Sequence, residues 1–588
     1  MSLLLTILLS IFTLPEVEVT PTANQTPTIH SNVATEQTTI AQALATIPGI
    51  DIRTRGANGS QADVSVRGGT FDQVTICLNG IPVTDAQTGH YNLNLPIPLA
   101  AIQRVDVEPN TSTINIVTFA PDSASLTSEL SFGMNMLGSA QIAGGGKHKD
   151  WSLSAAGNYT HAGGYYAPNP SEKEQVALHN SDLNTTNIFG SALFNDSHST
   201  LHLQIGAQYK DAGAGMFYGF GSQDQFDATR TGFLSAAYAY HTGNWSFTTY
   251  AAYRANFDRY WWHRSEEKYS NQHLSQNASA RFAAHYQSAI GKTSFGINFR
   301  DENLISTNLG NHNRIQINYF ARQTFFYEGF SAAIDVAGIY NTALGHHWTA
   351  GIDVKYSTKG FTVYANANRA VRMPTFTDLY YDAGAQLGSA DLKPETLINA
   401  SVGANYIFNI EQHHFSADAT FFYRHGKDII DWVFVESDAK RPYHAMNQQK
   451  TNTYGIEATF SYRWSEWIRL LQLSYAYTAL DLNLAETHSR YLDYLRHQLT
   501  LRFEHKIYAG LGANWTLSFR DRAGQYNNAE GQVEDFRPVL LLDGSLFYEI
   551  QQWRIAASCT NMTNRHYYDY GGVLQPGAWA KVTLSYHF

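Results

Sequence analysis

The chain has 588 residues, of which 13% are aromatic and only 15% charged, against roughly 25% charged residues in soluble domains. No run of about 18 apolar residues occurs beyond the N-terminus, which excludes transmembrane helices. A formal charge of -10 gives no support for nucleic-acid binding, and two cysteines, Cys77 and Cys559, are too few for a disulfide framework or a metal cluster.

In chain order, Ser2 to Leu14 (SLLLTILLSIFTL) is an apolar run of h-region length, so residues 1–14 read as a secretory signal. It lacks a basic flank and a small-x-small cleavage site. Residues 15–39 follow as a Thr/Asn/Gln/Pro-rich linker that opens on the β-prone segment Pro15 to Pro21 (PEVEVTP). Residues 40–125 read as a small mixed α/β unit. Ile40, Leu44 and Ile47 form one apolar side of a short helix ended by Pro48-Gly49, and Ile52 to Gly56 resumes extended chain. Two β-type runs, Val64–Val66 and Val74–Leu78, flank an Arg-Gly-Gly turn at Arg67 to Gly69, and Asn79-Gly80 reads as a hairpin. Further strands are expected at Ile102–Val107 and Thr113–Thr118. Taken alone, the unit is also compatible with an isolated soluble α/β domain.

From about Leu126 to Phe588 the pattern has period two. Trp151, Leu153, Ala155, Gly157 and Tyr159 alternate with Ser152, Ser154, Ala156, Asn158 and Thr160, and Leu201 to Lys210 repeats the alternation. Successive side chains of a strand point to opposite faces, so one set faces lipid and the other a polar lumen. A soluble sandwich would alternate too, but these runs extend for about ten residues, the lipid-spanning length. Counting them gives about 22 strands, an even number as closure demands. Tight turns at His241–Asn244, Tyr327–Gly329, Thr358–Gly360 and Ile550–Gln552 are interleaved with longer loops at 161–182, 257–275 and 425–450. Both chain ends then fall on the short-turn, periplasmic side. The fold class is therefore all-β: an antiparallel transmembrane β-barrel of about 22 strands with an N-terminal α/β unit.

The order of a leucine helix, Pro-Gly-Ile, a strand ending at Arg67-Gly68, and a strand ending in Leu78-Asn79-Gly80-Ile81-Pro82 resembles the plug domain of TonB-dependent outer-membrane receptors. Arg372-Met373-Pro374-Thr375-Phe376-Thr377-Asp378-Leu379-Tyr380, Asp391-Leu392-Lys393-Pro394-Glu395 and Tyr454-Gly455-Ile456-Glu457 resemble the same family, so the likeness covers nearly the whole chain. The terminal Phe588, on a strand with Ala580, Val582, Leu584 and Tyr586 on one face, resembles the signal read by the barrel-assembly machinery. The resemblance implies a plug inside the lumen, and it makes Glu16, Val17, Glu18, Val19, Thr20 and Pro21 the counterpart of the Ton box, which pairs with TonB by strand addition. The sequence departs from the family after Val107. Only Glu108 to Ser112 precede Ile114-Asn115-Ile116, where most members carry a longer glycine-rich stretch.

No enzymatic constellation is present: there is no G-x-S-x-G and no H-E-x-x-H. Gly291-Lys292-Thr293 mimics the end of a P-loop, but Tyr286 stands where its first glycine belongs. Adjacent histidines such as His346-His347 point to opposite faces of a strand and chelate poorly, so no metal site and no cofactor are expected. Ligand capture is assigned to aromatic clusters on the outer loops: Tyr165 and Tyr166, Phe217, Tyr218 and Phe220, and Tyr260, Trp261 and Trp262. Such rings combine a large contact area with a polar edge. An aromatic girdle at the membrane interface explains Trp261 and Trp262 equally well. On the plug, Asn58, Gly59, Ser60 and Gln61, with Gln87, Thr88, Gly89, His90, Tyr91 and Asn92, are expected to face the ligand. Arg67 is expected to pair with a barrel carboxylate such as Glu457, since a charge in the lumen needs a partner.

The resemblance implies import of a scarce, bulky nutrient across the outer membrane, driven by proton-motive force through TonB. Compact size and the absence of extra N-terminal domains make the chain look most like the cobalamin-receptor branch, which implies cobalamin as cargo, with a ferric siderophore as the alternative. An adhesin or a passive pore is the alternative of another class, and a surface lipoprotein partner is left open.

Overall fold

A computed structural model describes residues 39–57, 59–168, 176–217, 224–266, 270–435, 437–440, 443–464, 466–482, 493–527 and 532–588. Residues 1–38, with the signal and Glu16 to Pro21, lie outside them, as do Asn58, Tyr218 and Phe220. The described residues form a closed 22-stranded antiparallel barrel that begins at Ser125–Gly133 and closes when this strand pairs with the last one, Trp579–His587. Even the C-terminal residue joins the seam: Phe588 and Leu126 exchange backbone hydrogen bonds of 2.8 and 3.1 Å, leaving the Phe588 side chain 70% exposed.

The alternation read from the sequence sets the two faces. Leu153, Ile205 and Tyr209 are exposed on the outside, while Ser152, His202, Gln204 and Lys210 are buried in the lumen. Two-residue turns at one end follow from left-handed backbone at both positions, as at Glu328-Gly329 (φ 41° and 81°) and Lys359-Gly360 (φ 37° and 83°), which matches the twist of the strands they join. Rings crowd the same rim, with Trp245 against Tyr286 at 4.9 Å and Phe408 stacked on Phe415 at 4.6 Å.

The expectation of ten-residue runs needs correction. Barrel strands range from 8 residues (Trp553–Thr560) to 22 (His413–Phe434), and much of what read as loop at 161–182, 257–275 and 425–450 is ladder. Above the lipid the outer face meets water and the alternation fades. The backbone ladder does not depend on it and continues. The opposite end is also less uniform than expected, since Thr307–Leu309 and Thr342–Leu344 are connections of three residues.

The plug fills the lumen. It comprises a helix α1 (Ile40–Leu44), a hairpin of β1 (Ile50–Thr54) and β2 (Ala62–Val66), and a four-stranded sheet of β3 (Thr75–Leu78), β4 (Ile81–Pro82), β5 (Ile102–Glu108) and β6 (Thr113–Thr118) in the order β4-β3-β6-β5. Thr39 and Gln42 cap α1 reciprocally. At its far end the barrel residue Gln498 donates to the carbonyls of Ala45 and Ile47 (3.1 and 3.4 Å), groups the helix cannot satisfy itself. Ile50, Val64, Val66, Ile76, Val105, Val107, Ile114 and Ile116 form the plug's apolar centre, which continues into Phe189, Phe233 and Tyr250 of the wall. The shortened segment after Val107 is a tight turn with Ser112 at φ 52°, and it carries Asn110 to the wall.

Lipid exposure predicts a depth-dependent cost. Ile205→Arg, at a mid-strand position 64% exposed, should lower stability in lipid vesicles by about 2–4 kcal/mol, whereas Tyr327→Arg beside a turn should cost about 0–1 kcal/mol, both read by urea titration.

Candidate functional site

The outer end of the plug consists of the β1–β2 connection and the segment 84–92. Asp63 ties them together: it pairs with Arg55 at 3.0 Å and with the His90 ring at 2.8 Å. Burial alone would push Asp63 up, but His90 and Arg55 beside it hold it well below the usual carboxylate range. His90 stacks on Phe71 at 4.2 Å, and Arg55, fully buried, lies 3.8 Å from the centre of the Tyr570 ring and reaches the Phe217 carbonyl at 3.3 Å.

The ligand-facing expectations fall on this end, but most of their side chains are engaged. Ser60 donates to the Arg55 carbonyl at 3.2 Å, and Gln61 is buried. Thr88 caps the short 3-10 turn Gly89–Tyr91, Tyr91 donates to Asp227 and Asp258 of the wall (3.3 and 3.4 Å), and Asn92 accepts from the Asp85 amide at 3.1 Å. Gln87 is buried, while Gly59 and His90 are partly open.

Above segment 84–92 lies a strap, residues 373–394, that sequence reasoning had not connected to the site. Its helix α2 (Phe376–Tyr380) is closed by a reciprocal cap between Thr375 and Asp378, and the amides of Phe376 and Thr377 donate to the plug carbonyls of Ala86 and Gln87, both at 3.0 Å. Phe376 is buried with Ala86, Leu304 and Leu309. Arg372 braces the strap through Asp378 (3.2 Å) and Glu395 (2.8 Å). Beneath it a cavity of about 190 Å³ opens between plug and wall, its charged lining supplied by Asp72, Asp85, Arg300, Glu302, Arg314 and Arg372.

Ion pairs between plug and barrel seat the plug. Arg67 meets Glu457 through two parallel hydrogen bonds (2.9 and 2.7 Å), a third N–H reaches Asn110, and the guanidinium lies 4.5 Å from the Phe422 ring centre. Arg254 pairs with Asp85 at 2.6 Å, and Arg522 grips Asp51 at 2.7 and 2.8 Å. The sequence signal for Asp51 was an acid between Ile50 and Ile52, whereas Asp85 follows Thr84 and carried no such signal.

The aromatic expectations divide. Tyr165 (3% exposed), Phe217 (2%) and Tyr260 (7%) are buried, Tyr165 donating to the Leu574 carbonyl and Phe217 packing on Ala214 and Tyr260. These contacts occupy all three rings: Tyr165 and Tyr260 stand on ladder that continues above the lipid, and Phe217 lies in the turn after the strand Ser199–Gly213. Trp261 lies beside Phe226 at 5.5 Å with Arg259 at 4.5 Å from its ring, and Trp262 meets Tyr260 edge-on. The Tyr166 side chain lies outside the described residues, and among those described no group of three or more His, Cys, Asp or Glu could hold a metal.

Family models match over most of this architecture. The TonB-dependent receptor plug domain matches residues 19–120, and the TonB-dependent receptor-like β-barrel matches residues 84–562. The chain belongs to the TonB-dependent receptor family. It is an outer-membrane β-barrel receptor. Among solved structures, this TonB-dependent receptor is similar in fold to a variant of the ferric enterobactin receptor PfeA of Pseudomonas aeruginosa (13% identity, 96% of this chain and 98% of that chain, TM-score 0.75). It is likewise similar to the siderophore receptor PirA of Acinetobacter baumannii (11%, 96% and 98%, 0.76) and to the iron transporter FrpB of Neisseria meningitidis (14%, 95% and 98%, 0.74).

One plug carboxyl, Asp72, lies against the receptor's strap and its brace. Asp72 accepts from the Gly89 amide at 2.7 Å, and burial, with the Asp378 carboxylate next, pushes it up to about 7 against the opposing Arg372. The share of this rise that comes from Asp378 favours the seated strap while Asp72 is protonated and is lost as pH rises through about 7. Amide exchange of residues 376–380 should therefore be faster at pH 8 than at pH 5.5 after correction for the intrinsic rate, and Asp72→Asn should abolish the difference.

Proposed function

We propose that this receptor imports a ferric siderophore or an iron chelate of similar size, in place of the cobalamin suggested by chain length. The carrying observation is the fold match, end to end, to receptors whose names record ferric enterobactin, siderophores and iron. Length reports only how much chain is needed to build a barrel and a plug. It carries no contact with cargo. The buried plug end is compatible with an inner binding position reached after outer loops and strap have moved.

In this reading the Ton box, Glu16 to Pro21, pairs with TonB once cargo is seated, and the pull displaces the plug. Extended, β-prone chain is what strand addition requires, because main-chain hydrogen bonds carry the affinity. Outer-membrane lipid, the barrel-assembly machinery and TonB are then the partners, and the reading requires no surface lipoprotein. Nothing in it asks for bond making, so the chain acts as a transporter and not as an enzyme.

Two experiments test it. Deleting Glu16 to Pro21 should leave binding of ferric enterobactin to whole cells within about twofold and abolish its accumulation; persistent accumulation contradicts the coupling. A strain lacking the receptor should grow poorly on iron chelates when iron is limiting and normally when cobalamin is limiting. A defect seen only under cobalamin limitation overturns the cargo assignment.

A further inference from the structure

The plug's 3-10 turn Phe71–Gln73 is small, yet its three side chains together reach the plug's outer end, the strap and the barrel. Phe71 stacks on His90 of the outer end, and Asp72 accepts from Gly89 of the same segment while facing Asp378 of the strap and Arg372 that braces it. Gln73 points the other way: its amide donates to the barrel carboxylate Glu395 at 2.7 Å, and its carbonyl accepts from Arg424 of the barrel. Glu395 is the carboxylate that also takes Arg372 at 2.8 Å, and Arg424 also donates to the Val66 carbonyl at 3.4 Å. Val66 directly precedes Arg67, the partner of Glu457.

An unbroken series of polar contacts thus runs from the seated strap through Arg372, Glu395, Gln73 and Arg424 to the bend Arg67–Gly69. The bend is shaped for this approach. Arg67 and Gly68 are left-handed (φ 50° and 70°), and a Cβ on Gly69 would lie 2.7 Å from the Gln73 carbonyl oxygen, so glycine is what admits the contact. Gln73 suits the junction because it offers a donor to the carboxylate and an acceptor to the guanidinium at once. A carboxylate there would oppose Glu395, and an apolar side chain would take one hydrogen bond from each of them inside a low-dielectric lumen.

We infer that Gln73 is a positioning residue that transmits the seating of the strap on Ala86 and Gln87 to the Arg67–Glu457 pair. Seated, the strap fixes Arg372 and Glu395, which align Gln73 and hold the bend where Arg67 meets Glu457. Unseated, it releases Arg372, and Glu395 and Gln73 lose their shared geometry. The receptor-side consequence rests on the import reading: cargo that lifts the strap loosens the Arg67–Glu457 tie before any pull is applied. The contact relay itself is testable without cargo.

The test is amide exchange of the full-length, ligand-free receptor in detergent micelles. The Arg67 amide donates to the Gly49 carbonyl at 2.9 Å and the Gly69 amide to the Val66 carbonyl at 3.0 Å, so both report on the bend. Asp378→Asn, which weakens the strap's brace, should speed exchange at Arg67 and Gly69 about tenfold, with the Asn79 amide unchanged as a measure of an intact plug. In a Gln73→Leu background the bend should already exchange fast, and adding Asp378→Asn should change it no further, because interacting positions are non-additive. Should Gln73→Leu also speed Asn79, Glu395→Gln cuts the same series and takes its place. Exchange at Arg67 and Gly69 that ignores Asp378→Asn, or effects that multiply in the double variant, would overturn the relay while leaving the import reading standing.

Discussion

A backbone N–H or C=O facing hydrocarbon has no partner except another strand, and the rest of this structure follows from that constraint. It forces the last strand back onto the first, and closing 22 strands leaves a lumen too wide for side chains to fill. The plug occupies it. Among the described residues no plug strand joins the barrel ladder, so apart from a few backbone contacts to loops the two parts meet through side chains.

Apolar, polar and charged side chains all take part, and three buried ion pairs stand out. Arg67–Glu457, Arg254–Asp85 and Arg522–Asp51 each cross from plug to barrel and are largely buried. A buried pair adds little net stability over a well-packed apolar alternative, yet losing one partner is costly because the other charge is stranded. Such pairs fix where the plug sits without gluing it as an apolar interface would. That combination fits a stopper which, in the proposed function, has to be displaced and to return to one position.

The barrel was legible because its signal is local: each strand writes the lipid and lumen faces into alternate residues. The Arg67–Glu457 geometry follows from the same logic, since an arginine in a tight plug turn requires a carboxylate among the lumen-facing residues. What sequence reasoning missed depended on distance in three dimensions. Thr375 to Asp378 carries the spacing of a helix cap, but nothing local says that the helix lies across Ala86 and Gln87. Tyr165, Phe217 and Tyr260 read as free because they stand where the alternation fades. Whether an aromatic ring there meets cargo or plug depends on inward orientation above the membrane, which composition does not encode. The shortened turn after Val107 looked like a loss and instead delivers Asn110 to Arg67 and, at 2.9 Å, to Ser401.

The central claim is that side-chain contacts seat the plug separately from the barrel's ladder. Pulling single receptors by their N-terminus, from the periplasmic side of a supported membrane, tests it most directly. The account predicts that the first lengthening events sum to plug residues alone, at about 3.3–3.6 Å per residue, with the barrel remaining closed and able to take the plug back when force is released. Extraction of barrel strands before or together with the plug would contradict it.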